Sequence, residues 1–324
     1  MKAQRSLVAT GLALALALPF TTTAQDRFPT RTIQLVVPFS AGSQTDIVAR
    51  AVGRKMSAHW GRPVVVVNRP GGGGIVAARA VAGARPDGYT LLVHSAAFAV
   101  SATLYSKLPY DTVADFAPVS QMAIVPLVLV VAPSLKVKSA NEFIALAKRS
   151  PQPLFFGSAG IGSGTHLCGE KFRFAAGINV VHVPYKGTPE ALVDTIGGRI
   201  QFLMSPIEPA LPLIKDGKLL ALAVTTAQRS TVLPNVPTVS EAGLAGFQFE
   251  GSVGVWAPAR TPAAILHQLS NEIGRIVNLP DVRESMLSRG LVPKSSSPEE
   301  FAKFTRVQIE EFGKIVKASG ARAE

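Results

Sequence analysis

Cysteine is almost absent from this chain: Cys168 stands alone among 324 residues. An intramolecular disulfide is therefore excluded, stability has to come from a packed core, and Cys168 itself reads as a buried free thiol. Aromatic residues are sparse at 7%, and the 33 Lys and Arg are scattered rather than clustered. The stacking platforms and basic stripes of a nucleic-acid binder are missing, so no nucleic-acid partner is expected. Charged residues make up only 17% of a chain that is 47% hydrophobic, which excludes a disordered protein. Beyond residue 20 no apolar run reaches the length of a membrane span. Signatures of catalysis are lacking too. There is no His-Glu-x-x-His, no paired-cysteine metal pattern and no Gly-x-Ser-x-Gly elbow, so neither a metal nor a cofactor nor a catalytic residue is expected.

What is present begins with an address. Lys2 and Arg5 precede an apolar run over residues 7–20, and Thr22-Thr23-Ala24 supplies small residues before Gln25. Basic, apolar and small segments in that order make a secretory signal peptide, residues 1–24, with cleavage after Ala24. The apolar run is too short to span a membrane, so the mature chain is expected to be exported and soluble. Losing Lys2 and Arg5 leaves 31 basic against 21 acidic residues, a net charge of +10 that favours long-range attraction of anions.

The length allows two compact domains. Residues 33–37 read as a strand, residues 38–45 as the loop after it, and Ile47, Val48, Ala51, Val52 and Met56 recur at helical spacing. The pattern repeats with strands at 63–67 and 89–94 around a small helix opened by Gly71 to Gly74. Short apolar strands alternating with helices predict an α/β fold of mixed, mostly parallel sheets flanked by helices. Helix starts are marked by capping boxes at Ser139 with Glu142 and Ser297 with Glu300, and by the pairs Thr188-Pro189 and Thr261-Pro262. Two strand-like segments, residues 125–131 and 251–257, bracket a central block with its own strands at 154–157, 180–184, 199–204 and 219–225. If both cross between domains, lobe 1 is residues 25–124 plus 252–324 and lobe 2 is residues 125–251. Two crossings around a cleft predict hinge closure on a ligand.

Three loops follow strands and open helices, where ligands of α/β sheets bind. The most informative spans residues 157–166, where Ser158, Ala159, Gly160, Ser163, Thr165 and His166 stand before a predicted helix. Free N–H groups and the helix dipole there can hold an anion without a charged side chain. Thr165 stands where the third glycine of a dinucleotide motif would be, and the Gly-Lys-Ser/Thr ending of a phosphate loop is absent. The first loop, Phe39, Ser40, Ala41, Gly42, Ser43, Gln44, Thr45 and Asp46, offers hydroxyls and an amide but no cation, with Thr45 or Ser43 also able to cap the helix. The third, Tyr185, Lys186 and Gly187, sits at the cleft edge. Gly71 to Gly74 lacks a following Lys and reads as a tight strand-to-helix connection. A hydrolase using His166 with the nearby Ser163 is the enzymatic alternative.

Together with their flanks the loops resemble the periplasmic solute receptors of tripartite tricarboxylate transporters, the Bug-type family. The matching stretches include Val36-Val37-Pro38-Phe39, Gly42 with Thr45-Asp46, Asn68-Arg69-Pro70-Gly71, Pro86-Asp87-Gly88-Tyr89-Thr90, Asp115-Phe116-Ala117-Pro118, Val183-Pro184-Tyr185-Lys186-Gly187, Pro234-Asn235-Val236-Pro237-Thr238 and Val316-Lys317-Ala318-Ser319-Gly320. The resemblance implies a monomeric, two-lobed periplasmic binding protein of type II-like fold. Its cleft closes on a small carboxylate held by backbone N–H groups, hydroxyls and water, and its partners are the membrane subunits of such a transporter, or a sensor. One departure stands out. The family commonly carries further glycines in the first loop, whereas here Gly42 is followed by Ser43 and Gln44, which should narrow the site or add donors.

Overall fold

The computed structural model describes residues 28–319. The signal peptide expected over residues 1–24 and the outermost residues of lobe 1 lie outside them. Strand β1 (Ile33–Val37), α1 (Gln44–Trp60), β2 (Val64–Asn68), α2 (Ile75–Ala82) and β3 (Thr90–Ser95) alternate as the periodicity predicts, and α3 (Ala97–Leu104), which it does not predict, follows. There follow β4 (Phe116–Val131), α4 (Ala140–Arg149), β5 (Leu154–Ser158), α5 (Gly164–Ala176), β6 (Val180–Pro184), α6 (Thr188–Ile196), β7 (Phe202–Pro206), α7 (Ile207–Lys215) and β8 (Leu220–Val224). The chain ends with β9 (Glu250–Pro258), α8 (Ala263–Val277), α9 (Pro280–Leu287), the short β10 (Val292–Pro293) and α10 (Pro298–Ser319).

Strand β4 organises the molecule. Residues 116–126 pair with β9, while residues 127–131 continue into a second group of strands, flanked by β7 and β8. The strand order β2-β1-β3-β9-β4-β7-β5-β6 therefore runs through both halves. Its far end, Leu-Val-Leu-Val-Val over residues 127–131 with barely an accessible atom, reads as a continuous apolar run because helices cover both faces. The sheets are mixed, but parallel pairing is confined to the outer strands, β1 with β2 and β3, and β5 with β6 and β7. Every pair made by β4 or β9 is antiparallel, because these strands carry the chain out of one half and back again.

Each half has its own aromatic core. In the first, Phe98 lies 4.8 Å from Phe116 and 4.7 Å from Trp256, with Phe301 of α10 closing the group against Trp256. In the second, Phe143, Phe156 and Phe172 surround Phe202 of β7. Each fully buried ring contributes about 1.5–3 kcal/mol of transfer free energy. Two caps form as the sequence predicts: Ser139 Oγ accepts the Glu142 N–H and Ser297 Oγ accepts the Glu300 N–H, both at 3.1 Å. The other two starts differ. Gly187, not Thr188, is the N-cap of α6, and Pro262, not Thr261, is that of α8. The Thr261 hydroxyl instead donates to the Pro258 carbonyl at 2.7 Å, a local turn bond that competes with capping.

Candidate ligand cleft

The loop after β1 runs into α1 at Gln44, with Ser43 at the N-cap. Neither Ser43 nor Thr45 caps the helix through its side chain. Ser43 Oγ and Gln44 Nε2 are both buried without a hydrogen-bond partner. Asp46 holds the loop instead. Its carboxylate accepts the Gly42 N–H at 3.0 Å, the Asn68 amide at 2.9 Å and the Arg50 guanidinium at 2.9 Å. Burial opposes its ionisation, yet the bonds from Arg50, Gly42 and Asn68 outweigh that and hold it below the usual carboxylate value. Asp46 is thus saturated by its own loop together with α1 and the end of β2, and it lines neither of the cavities along the cleft.

The loop after β5 is built the same way from the other half. Ser163 caps α5 by accepting the His166 N–H at 3.2 Å, and its hydroxyl meets that of Thr165 at 2.8 Å. Thr165 Oγ1 also accepts the Ala159 N–H at 2.9 Å. Two hydroxyl hydrogens share one mutual bond, so one O–H of this pair remains to be offered elsewhere. Ser158 turns inward, with its Oγ 2.6 Å from His182 Nε2. His166 stacks on His182 at 4.0 Å, and its Nδ1 accepts the Gly162 N–H at 3.1 Å, which puts the ring proton on Nε2. Burial pushes its pKa down to about 4, with Arg173 adding to the effect, so the ring is neutral at pH 7. Ser163 touches the backbone of His166 and not its ring, so the nucleophile–base bond that the hydrolase reading requires is missing.

Across the cleft the loops meet. Ser40 donates from its N–H to the Lys186 carbonyl at 3.4 Å and from its hydroxyl to Glu190 Oε2 at 3.0 Å. Gly187 allows this close approach: a Cβ there would lie 2.1 Å from Ser40 Oγ and force that hydroxyl to turn away. A second contact joins Gly73, at φ +62°, to the loop after β5, where a Cβ would meet the Ile161 carbonyl oxygen at 2.1 Å.

Two cavities lie along this seam. The inner one, about 40 Å³, is lined by Ser43, Gln44 and Thr45 at the start of α1, by Ser163, Gly164 and Thr165 at the start of α5, and by Ser95, Thr188 and Ser252. Among the described residues no charged side chain lines it. The outer one, about 580 Å³, is lined by Gly71 to Gly73, Tyr105, Gly160, Ile161, Tyr185, Lys186 and Glu190. Phe39 and Ala159 line both. Of the residues picked out by sequence, the structure thus brings Phe39, Ser43, Gln44, Thr45, Ala159, Ser163, Thr165, Gly160, Tyr185 and Lys186 to cavity walls. Ala41 is exposed, while Ser40, Asp46, Ser158, His166 and Gly187 line neither cavity but support those that do. The Tyr185 hydroxyl is engaged, donating to Asp194 at 2.7 Å; burial and that carboxylate push its pKa up to about 12.

Sequence reasoning missed Ser95, Tyr105, Thr188 and Ser252, and it took Gly71 to Gly73 for a plain connection. The available signals were the unusual glycine density and the position of Ser95 at the carboxyl end of β3, where α/β sheets place ligands.

Residues at two helix N-termini, one from each half, thus converge on a small cavity furnished with hydroxyls and an amide. Dipole potential and unpaired donors both favour an anion. The model of the tripartite tricarboxylate transporter family receptor matches residues 48–321. This chain belongs to that receptor family. BugT of Bordetella pertussis is 35% identical over 324 residues, with 99% of each chain covered. Among solved structures, an R. palustris protein with adipate superposes with TM-score 0.89 at 33% identity, covering 91% of this receptor and 99% of that chain. The periplasmic binding protein BugD gives 0.88 at 31%, covering 92% and 100%. MatC of Rhodopseudomonas palustris with bound malate gives 0.85 at 31%, covering 89% and 100%. The receptor therefore has the fold of the periplasmic binding proteins. Its family and structural neighbours are solute-binding receptors rather than enzymes, which removes the hydrolase alternative.

Proposed function

We propose that this receptor is exported by cleavage of residues 1–24, captures a small carboxylate in the inner cavity by closing two lobes, and delivers it to the membrane subunits of a tripartite tricarboxylate-type transporter. The observation that carries the reading is the pair of buried, unpartnered donors, Ser43 Oγ and Gln44 Nε2, facing a cavity that the start of α5 also lines from the opposite half. Each unmet donor costs about 1–3 kcal/mol, a cost that an acceptor-only group such as a carboxylate removes. Thr45 and the spare O–H of the Ser163–Thr165 pair complete the set of donors, joined by the first N–H groups of α1 and α5, for which a helix has no internal acceptor. The lobes are residues 25–124 with 252–324, and residues 125–251, hinged where β4 passes between its two sets of partners and where the chain enters β9. The structures with adipate and malate support a carboxylate ligand.

The test is a thermal-shift screen over mono-, di- and tricarboxylates, aromatic acids and acidic amino acids. A ligand at a hundred times its Kd stabilises the folded state by about 2.7 kcal/mol, a readily visible shift. A null result across the whole panel refutes carboxylate capture.

A further inference from the structure

The two cavities differ in kind, and the difference bears on which acids fit. The inner cavity's 40 Å³ is room for roughly three water-sized groups, enough for a carboxylate and little more. The rest of any ligand has to pass Phe39 and Ala159, which line both cavities, and lie in the outer one. That space presents apolar surface, from Phe39, Tyr105, Ile161, Pro184 and Tyr185. Both tyrosine hydroxyls are committed elsewhere, Tyr105 to the Gly72 carbonyl at 3.0 Å and Tyr185 to Asp194 at 2.7 Å, so the rings offer faces rather than donors. The two charged residues of the outer wall are unequal. Glu190 is half-buried and held in place by the Ser40 hydroxyl from across the cleft at 3.0 Å. Lys186 is exposed on a flexible stem, and among the described residues no carboxylate pairs with it. A charge fixed in a partly desolvated wall acts on a neighbour more strongly than one free to move in screening solvent.

Resting on the inner cavity as the carboxylate site, we infer that Glu190 is a specificity-determining residue: it makes this receptor favour monocarboxylates with an extended apolar or aromatic body over dicarboxylates of the same length. A second carboxylate at the ligand's outer end would face the Glu190 carboxylate across an apolar cavity, and like charges so placed discriminate between ligands by repulsion. An uncharged end loses nothing there.

Calorimetric titration with hexanoate, adipate and 3-phenylpropionate tests this, since the first two differ only in the second carboxylate. The expected result is tighter binding of hexanoate and 3-phenylpropionate than of adipate to the wild-type receptor, by roughly tenfold or more. Glu190→Gln keeps an oxygen that can accept the Ser40 hydroxyl and removes the charge, so it should narrow or reverse the hexanoate–adipate ratio, whatever loss the weaker bond to Ser40 imposes on both acids alike. Tighter binding of adipate to the wild type, lost in Lys186→Ala, would overturn the inference by showing that Lys186 rather than Glu190 reads the outer end. An unchanged ratio in Glu190→Gln overturns it as well. If short acids such as malate bind and neither six-carbon acid does, the use of the outer cavity is refuted and carboxylate capture stands. If no acid binds, both fall together. The wild-type ratio alone decides the matter should the variant fold poorly.

Discussion

Replacing Gly187 by alanine should hold the lobes apart without harming either of them. The residue sits at φ −174°, an extended conformation open to any side chain, so no backbone strain accompanies the change. In the closed arrangement, however, the new methyl carbon falls 2.1 Å from Ser40 Oγ, 3.2 Å from Glu190 Oε2 and 3.3 Å from Ser40 Cβ. Ser40 Oγ has to rotate away, which breaks its 3.0 Å bond to Glu190, and the 3.3 Å approach to Ser40 Cβ remains tight afterwards. A hydrogen bond to a charged group is worth about 1.5–3 kcal/mol. Since ligand affinity scales with the population of the closed state, binding should weaken roughly ten- to a hundredfold. The unliganded variant should melt no lower than wild type, because alanine costs the unfolded chain entropy and the open lobes accept it. The assay is calorimetry on wild type, Gly187→Ala, Ser40→Ala and the double variant. Ser40→Ala removes both the bond and the obstructing oxygen, so adding Gly187→Ala to it should cost far less than adding it to wild type. Wild-type affinity in Gly187→Ala, or the same loss in both backgrounds, would refute the reasoning.

Four other outcomes are expected. Thr45→Ala should weaken carboxylate binding by about 1.5–3 kcal/mol in calorimetry, while Ser297→Ala, far from the cleft, should lower stability in urea unfolding by about 1 kcal/mol through its lost cap and leave affinity unchanged. Adding a saturating ligand should make the particle more compact in small-angle scattering; unchanged dimensions count against closure about the crossing strands. Buried His94 and His182 have pKa values pushed down to about 3 and His166 to about 4, each chiefly by burial, below the 6.5 of the unfolded chain. The unfolded state therefore takes up protons first, and stability present above pH 6.5 should be lost as the pH falls towards 4, by up to about 1.4 kcal/mol per pH unit for each ring; a flat urea midpoint between pH 6.5 and 5 contradicts this. Cys168 is fully buried and its thiol is pushed up by burial, so it should resist iodoacetamide at pH 8 until the chain is unfolded.

Much of this architecture was legible in local pattern. Short apolar runs located β1, β5 and β9 to within a residue or so, and Ser139 and Ser297 announced their helices, because propensity and capping act over a few residues and leave their mark in order and spacing. The donors of the first loop were legible for the same reason, as were the glycines of the loop after β5. Assembly decided the rest. That Asp46 would be consumed by Arg50, Asn68 and Gly42, that Tyr185 would turn its hydroxyl to Asp194, and that His166 would stack on His182 depends on which polar partner lies within about 3 Å after folding. Thr188 and Gly71 to Gly73 became cavity walls only because the second half closes over the first, pressing Ile161 onto Gly73 and Glu190 onto Ser40. Residues 40 and 190 are 150 positions apart in the chain, and no local preference encodes their meeting. Local sequence selects the conformation of each loop through short-range sterics and hydrogen bonds, whereas the burial of both halves in one apolar core continuous along a shared strand is what brings those loops face to face.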